Sequence, residues 1–260
     1  SVIGGIMGGI SISSNLWIIF MPLSISILWS GLGKKSSGFL WGFFFILISH
    51  YWLLYLHPLT WLGFSWISSL LISNFIWLFC SFAGGLIVLL WNLIGSKVLS
   101  KKYILSLTEK QVFIRVIFLS LLWSFGELIL SKTSFFWIGI GESLIPGDIY
   151  LAGLARIIGS SGVCFLILLM GFWIFFIFER WKLNLNFKLM TYAGILFVLC
   201  LHLIGAYLIQ SNNRNSVYPI AIWQTNIPTR EKFLLNNQIT SEQIIFEQEK
   251  ALSQKAKLLV

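Results

Sequence analysis

One acid lies inside an otherwise apolar stretch of this 260-residue chain: Glu127, in Trp123-Ser124-Phe125-Gly126-Glu127. Lys132 follows it, Glu142 and Asp148 come next, and Arg156 opens the following apolar run. A charge within a membrane span is costly and marks a functional position or an ion pair, so Arg156 and Lys132 are the expected partners of Glu127. His50 and His57 are seven apart and would share a helical face, with His202 far away; they are read as structural or interfacial residues, not a metal site. Cys80, Cys164 and Cys200 have no paired spacing and all fall in apolar runs, where they read as packing residues. No GxSxG, HExxH, P-loop or dinucleotide fingerprint is present.

The elements that carry these residues are expected to be membrane helices. The chain is 57% hydrophobic and only 10% charged, with a mean hydropathy of +0.87. Residues 1–210 hold 12 Lys/Arg and 5 Asp/Glu, whereas 211–260 hold 6 and 4. Each ionised group at the bilayer centre costs roughly 2.5–3.5 kcal/mol, which separates a membrane region, 1–210, from a water-facing one, 211–260. Apolar runs predict seven spans at about 1–12, 15–32, 38–57, 66–94, 112–130, 150–178 and 189–209. The first is short.

Ten basic residues occupy alternate loops: Lys34 and Lys35; Lys97, Lys101, Lys102, Lys110 and Arg115; Arg180, Lys182 and Lys188. The positive-inside rule makes these loops cytoplasmic and puts 58–65, 131–149 and everything after 210 outside. This placement also accounts for the net charge of +9 without nucleic acid. Trp61, Trp66, Trp137, Trp181 and Tyr207 fall near span ends, and Trp41, Trp52, Trp77 and Trp123 are expected to pack deeper. Glycine pairs at 4–5, 8–9 and 84–85 permit close helix approach.

The water-facing segment reads as strand, turn, helix and the start of a second strand. Val217–Gln224 is β-rich, Thr225-Asn226-Ile227-Pro228 is a turn, a helix is expected from about Thr240 with Ser241 as cap, and Leu258-Leu259-Val260 looks strand-like. An α/β domain opens in this way, but some fifty residues bury too little apolar surface to fold alone.

Several of these motifs together resemble bacterial apolipoprotein N-acyltransferases. Ile220–Pro228 resembles the first strand and Gln-x-[Asp/Asn]-Ile-Pro turn of that family's nitrilase-like domain. Trp123–Glu127 is similar to its Trp-x-x-x-Glu span, Phe135–Gly141 to its exoplasmic Phe-Pro-Trp-Leu loop, and Gly153–Gly159 to the start of its sixth span. The resemblance implies an α-helical polytopic membrane domain of eight helices, about seven present here, followed by the start of a nitrilase-like α/β domain. It implies acyl transfer from a phospholipid, through a Cys thioester with a Glu base and an oxyanion-stabilising Lys, to the N-terminal amine of a diacylglyceryl lipoprotein. It further implies a monomer, no cofactor or metal, membrane lipid as surroundings, and the bacterial inner membrane as location.

The catalytic Glu, Lys and Cys are then expected beyond Val260, and the chain is expected to be inactive alone. Candidate substrate-binding residues are Glu127, Trp137, Arg156 and Phe233, the last standing where the family often has Trp. A transporter would show inverted repeats and mid-membrane polar residues, and a sensor would have an exoplasmic ligand domain without the catalytic residues; these are the competing readings.

Overall fold

The computed structural model describes residues 1–12, 14, 17–99, 107–133, 139–210, 220–221, 238–253 and 258–259. Its helices are α1 (Val2–Ser11), α2 (Trp17–Ser30), α3 (Lys35–Ser49), α4 (Trp66–Val98), α5 (Glu109–Leu130), α6 (Ile149–Ala152), α7 (Ala155–Lys182), α8 (Lys188–Gln210) and α9 (Gln238–Ser253). Two 3₁₀ turns, Tyr51–Leu56 and Thr60–Leu62, lie between α3 and α4.

Among the described residues four helices, α4, α5, α7 and α8, are long and apolar enough to cross a membrane. The three expected spans before them are shorter apolar helices of 10, 14 and 15 residues. The expected span 38–57 is the clearest departure. α3 stops at Ser49 and the chain continues as the 3₁₀ turn 51–56. His50 and His57 therefore share no helical face: His50 is buried beside Ser49 Oγ (2.9 Å), and His57 Nδ1 meets Ser69 Oγ (2.9 Å). Trp52, expected to be deep, is 41% exposed. The expected span 150–178 is also broken, into α6 and a longer α7. Gly159 interrupts α7 with φ 67° and ψ 173°, a conformation in the left-handed half of the map that glycine alone adopts freely.

The chain divides into two compact units. One comprises Ser1–Leu54 and Ser73–Asn212, the other Tyr55–Ile72 and Asn213–Val260. In the second, Ser69 Oγ accepts from Leu59 N (2.6 Å), and residues 220–221 pair in parallel with 258–259. α9 begins at Gln238, so Ser241 sits within its first turn and is not the cap.

The first unit is held by small residues and indoles. A Cβ on Gly5 or Gly9 would strike α3 near Trp41 O, Phe45 O and Ile48; one on Gly4 or Gly8 would strike Ile27 or Ser24 of α2. Close backbone approach replaces the hydrophobic effect as a source of helix association in lipid. Behind this contact, Trp29, Trp91, Trp123 and Trp41 form an edge-to-face chain, with ring centroids 5.2, 5.2 and 6.1 Å apart along it. α5 starts with a capping box in which Thr108 and Gln111 satisfy each other's backbone N–H.

Replacing Gly5 with Leu should overpack the α1–α3 contact and cost about 1–3 kcal/mol, read as a lower thermal midpoint in detergent. Gly126→Ala, at a position open to within 4 Å, should be neutral or slightly stabilising. Equal midpoints for Gly5→Leu and wild type would show that the close approach does not hold α1.

Candidate functional site

Glu127 is placed by α5 one turn after Trp123, with only 7% of its surface exposed. The Trp123 indole N–H donates to its Oε1 at 3.0 Å, and Ile140 N–H donates to both carboxyl oxygens, at 3.1 and 3.2 Å. From Ile140 the network continues. Ser143 Oγ–H donates to Ile140 O (2.8 Å) and accepts from the Trp17 indole (2.9 Å). A continuous line of hydrogen bonds therefore runs from α2, through the 139–148 segment, to α5. That segment is irregular backbone amid apolar helices, where each polar group needs a protein partner.

Gly139 stands beside two carboxyl groups. A Cβ there would lie 3.5 Å from Glu127 Oε2 and 3.4 Å from Glu142 Oε2. The two carboxyl groups border a small polar pocket with Ser131, Gly141, Ser160 and Ser161. Its volume, about 10 Å³, is at the lower limit for admitting one water. Ser160 Oγ donates to Glu142 Oε1 at 3.4 Å. On its other side Glu127 ends an apolar groove of about 180 Å³ between α4 and α5, lined by Ile87, Leu90, Trp91 and Leu122. The fully buried Cys164 thiol also faces Glu127.

The sequence singled out Glu127 as an acid inside a span; the structure buries it, and among the described residues it accepts hydrogen bonds from Trp123 and Ile140, where Arg156 or Lys132 had been expected. Arg156 donates through Nη1 to Leu208 O (2.9 Å), fastening the start of α7 to the end of α8. Trp137 and Phe233 lie outside the described residues. Among the described residues no group of three or more His, Cys, Asp or Glu side chains could hold a metal.

Sequence reasoning missed the second buried acid as a site. Asp148 Oδ1 accepts from Leu151 N (2.9 Å), capping α6, and Oδ2 lies 3.0 Å from His202 Nε2. His202 Nδ1 meets Val198 O at 2.8 Å. The ring thus bridges two acceptors, which requires a donor at each nitrogen or a proton on Asp148 in place of one. Asp148 directly before an apolar helix is a capping signal legible in sequence; nothing local announces His202, 54 residues away.

The arrangement fixes a loop and offers acceptors. Among the described residues it contains no thiol or hydroxyl paired with a base beside an oxyanion-stabilising cation.

The chain is 53% identical over 258 residues to the apolipoprotein N-acyltransferase of Prochlorococcus marinus subsp. pastoris, a match covering 99% of this chain and 52% of that protein. It is 43% identical over 233 residues to the protein of that name from a second Prochlorococcus marinus strain, covering 90% and 47%. With that of Parasynechococcus marenigrum it shares 34% over 233 residues, covering 90% and 47%. The chain thus spans about half the length of the curated relatives it matches. No family model and no solved structure matches it.

Glu127→Ala should orphan the Trp123 and Ile140 donors and cost about 1–3 kcal/mol for each, with Glu127→Gln milder because one oxygen acceptor remains. Thermal unfolding in detergent reads both; an unshifted Ala variant would remove Glu127 from the framework. His202→Leu should strand Asp148 and cost about 3–5 kcal/mol, and adding Asp148→Asn, which keeps the cap, should recover part of the loss. An additive double mutant would show the pair to be uncoupled.

Proposed function

We propose that this chain belongs to the apolipoprotein N-acyltransferase family as part of a longer polypeptide, and that the whole protein transfers an acyl chain from a phospholipid to the N-terminal amine of a diacylglyceryl-cysteine lipoprotein. The observation that carries this reading is similarity extending along nearly the entire chain, membrane helices and water-facing segment alike. In this proposal residues 1–210 are the membrane domain, in the bacterial inner membrane, and 211–260 begin a nitrilase-like domain on the exoplasmic side. The alternating basic loops support that orientation. The parallel pairing of 220–221 with 258–259 around α9 is compatible with the opening of an α/β domain.

Both substrates are lipids, so chemistry at the membrane surface needs a scaffold that holds the reacting groups at headgroup depth. Glu127 serves that scaffold. Through Ile140 it fixes the segment whose preceding sequence contains Trp137, and we propose that Glu127, Trp137, Arg156 and Phe233 border the approach of the two lipids. The nucleophile is assigned to the remainder of the longer polypeptide. Cys80, Cys164 and Cys200 all lie within long apolar helices, and thioester chemistry requires a thiolate that reaches the ester. The chain alone is therefore proposed to be inactive, and the protein to act as a monomer without cofactor.

The test uses labelled phospholipid with the full-length protein and with residues 1–260 separately. Full-length protein should acquire label as a thioester and release lysophospholipid, while 1–260 should do neither. No label on the full-length protein would overturn the acyltransferase reading, and label on 1–260 would overturn the assignment of the nucleophile. Glu127→Ala in the full-length protein should lower the rate of labelling more than the variant's loss of folded protein explains.

A further inference from the structure

An apolar groove of about 340 Å³ opens between α5 and α8, with α7 as its floor. It lies toward the Glu109 end of α5, its α5 wall roughly 16–27 Å from Glu127 at 1.5 Å per residue. Val112 and Val116 form one wall, Ala193 and Phe197 the other, and Phe172 and Trp173 the floor. The floor is built by a specific fit. The Trp173 ring lies against Gly194, where any side chain would collide with it, and its indole N–H donates to Met190 O at 3.0 Å. The indole therefore acts as a fixed spacer between α7 and α8.

The mouth has the opposite chemistry. The Arg180 guanidinium sits over the Phe176 ring at 5.6 Å, donates from Nε to Asn186 O (2.9 Å) and from Nη1 to Glu109 (2.8 Å). The one carboxylate lining the groove is thereby neutralised, and these two bonds use only part of a guanidinium's five donors. The same end of the helices carries Lys110, Arg115, Lys182 and Lys188 against Glu109 and Glu179. A groove this apolar does not hold water stably. Hydrocarbon fits the groove, and an anion fits its rim.

We infer that this groove holds one acyl chain of an anionic glycerophospholipid, with the phosphate against Arg180 and Lys188. The site is separate from the acyl transfer proposed above: the lipid is bound as a structural component filling the gap between α5 and α8, and not as donor. Basic rims between membrane helices recognise anionic headgroups in this way.

Native mass spectrometry of the delipidated 260-residue chain, supplied with equal phosphatidylglycerol and phosphatidylcholine in mixed micelles, tests the inference. One phosphatidylglycerol should be retained per chain, favoured roughly tenfold or more, the scale expected for two basic contacts. Arg180→Gln with Lys188→Gln should bring that preference close to one. Ala193→Trp, which fills the groove, should abolish retention of either lipid, with circular dichroism verifying that the helices persist. If Ala193→Trp does not fold, the charge variant alone decides. Equal retention of the two lipids by wild type, unchanged preference in the charge variant, or unchanged retention in a folded Ala193→Trp protein would each overturn the inference. So would loss of the lipid in the full-length protein, which would assign the groove to a further segment of the polypeptide.

Discussion

An indole N–H buried in an apolar bundle has no water to bond with, and the first unit is arranged around that constraint. Its tryptophans find acceptors mostly on other helices: Trp29 on Leu168 O, Trp41 on Ser24 O, Trp77 on Leu47 O, Trp91 on Leu119 O and Trp173 on Met190 O. Each carbonyl belongs to a helix and has a second lone pair available. Each bond therefore joins two helices without taking a backbone partner away. The rings also fill the space left where glycines bring backbones together, so the same residues set both spacing and rotation.

The Glu127 network applies the same rule to irregular backbone. The segment after Gly139 cannot satisfy itself as a helix would, and side chains supply the missing partners: Glu127 for Ile140 N–H, Ser143 for the Trp17 indole, Asp148 for Leu151 N–H. One acid thus accepts both an indole and a loop amide. This explains how a carboxyl group is accommodated inside apolar surroundings.

Hydropathy located every apolar helix, because exclusion of charge is a property of composition and needs no tertiary information. It overestimated how long the early ones are: Tyr51–Leu56 is as apolar as α3 but winds as a 3₁₀ turn, a distinction that depends on neighbours and not on side-chain polarity. Glu127 stood out because a lone acid is conspicuous in an apolar run. Its partners did not, since a backbone N–H carries no sequence signature and Trp123 reads as packing. The Asp148–His202 pair was invisible for a related reason: 54 residues separate the two, and the chain gives no local hint that α6 returns to the middle of α8.

Asn92, at 1% exposure, has one more role in the first unit. From α4 it accepts Gly33 N–H (3.1 Å) and donates to Gly31 O (3.3 Å), serving the sharp turn between α2 and α3. Ribosomal synthesis runs from the amino terminus, so α2 and α3 emerge well before this amide does. Their turn gains these two bonds only once α4 stands beside it. The hairpin is thus tied by a residue some sixty positions downstream, so that a single amide of α4 holds the turn by which α2 hands the chain to α3.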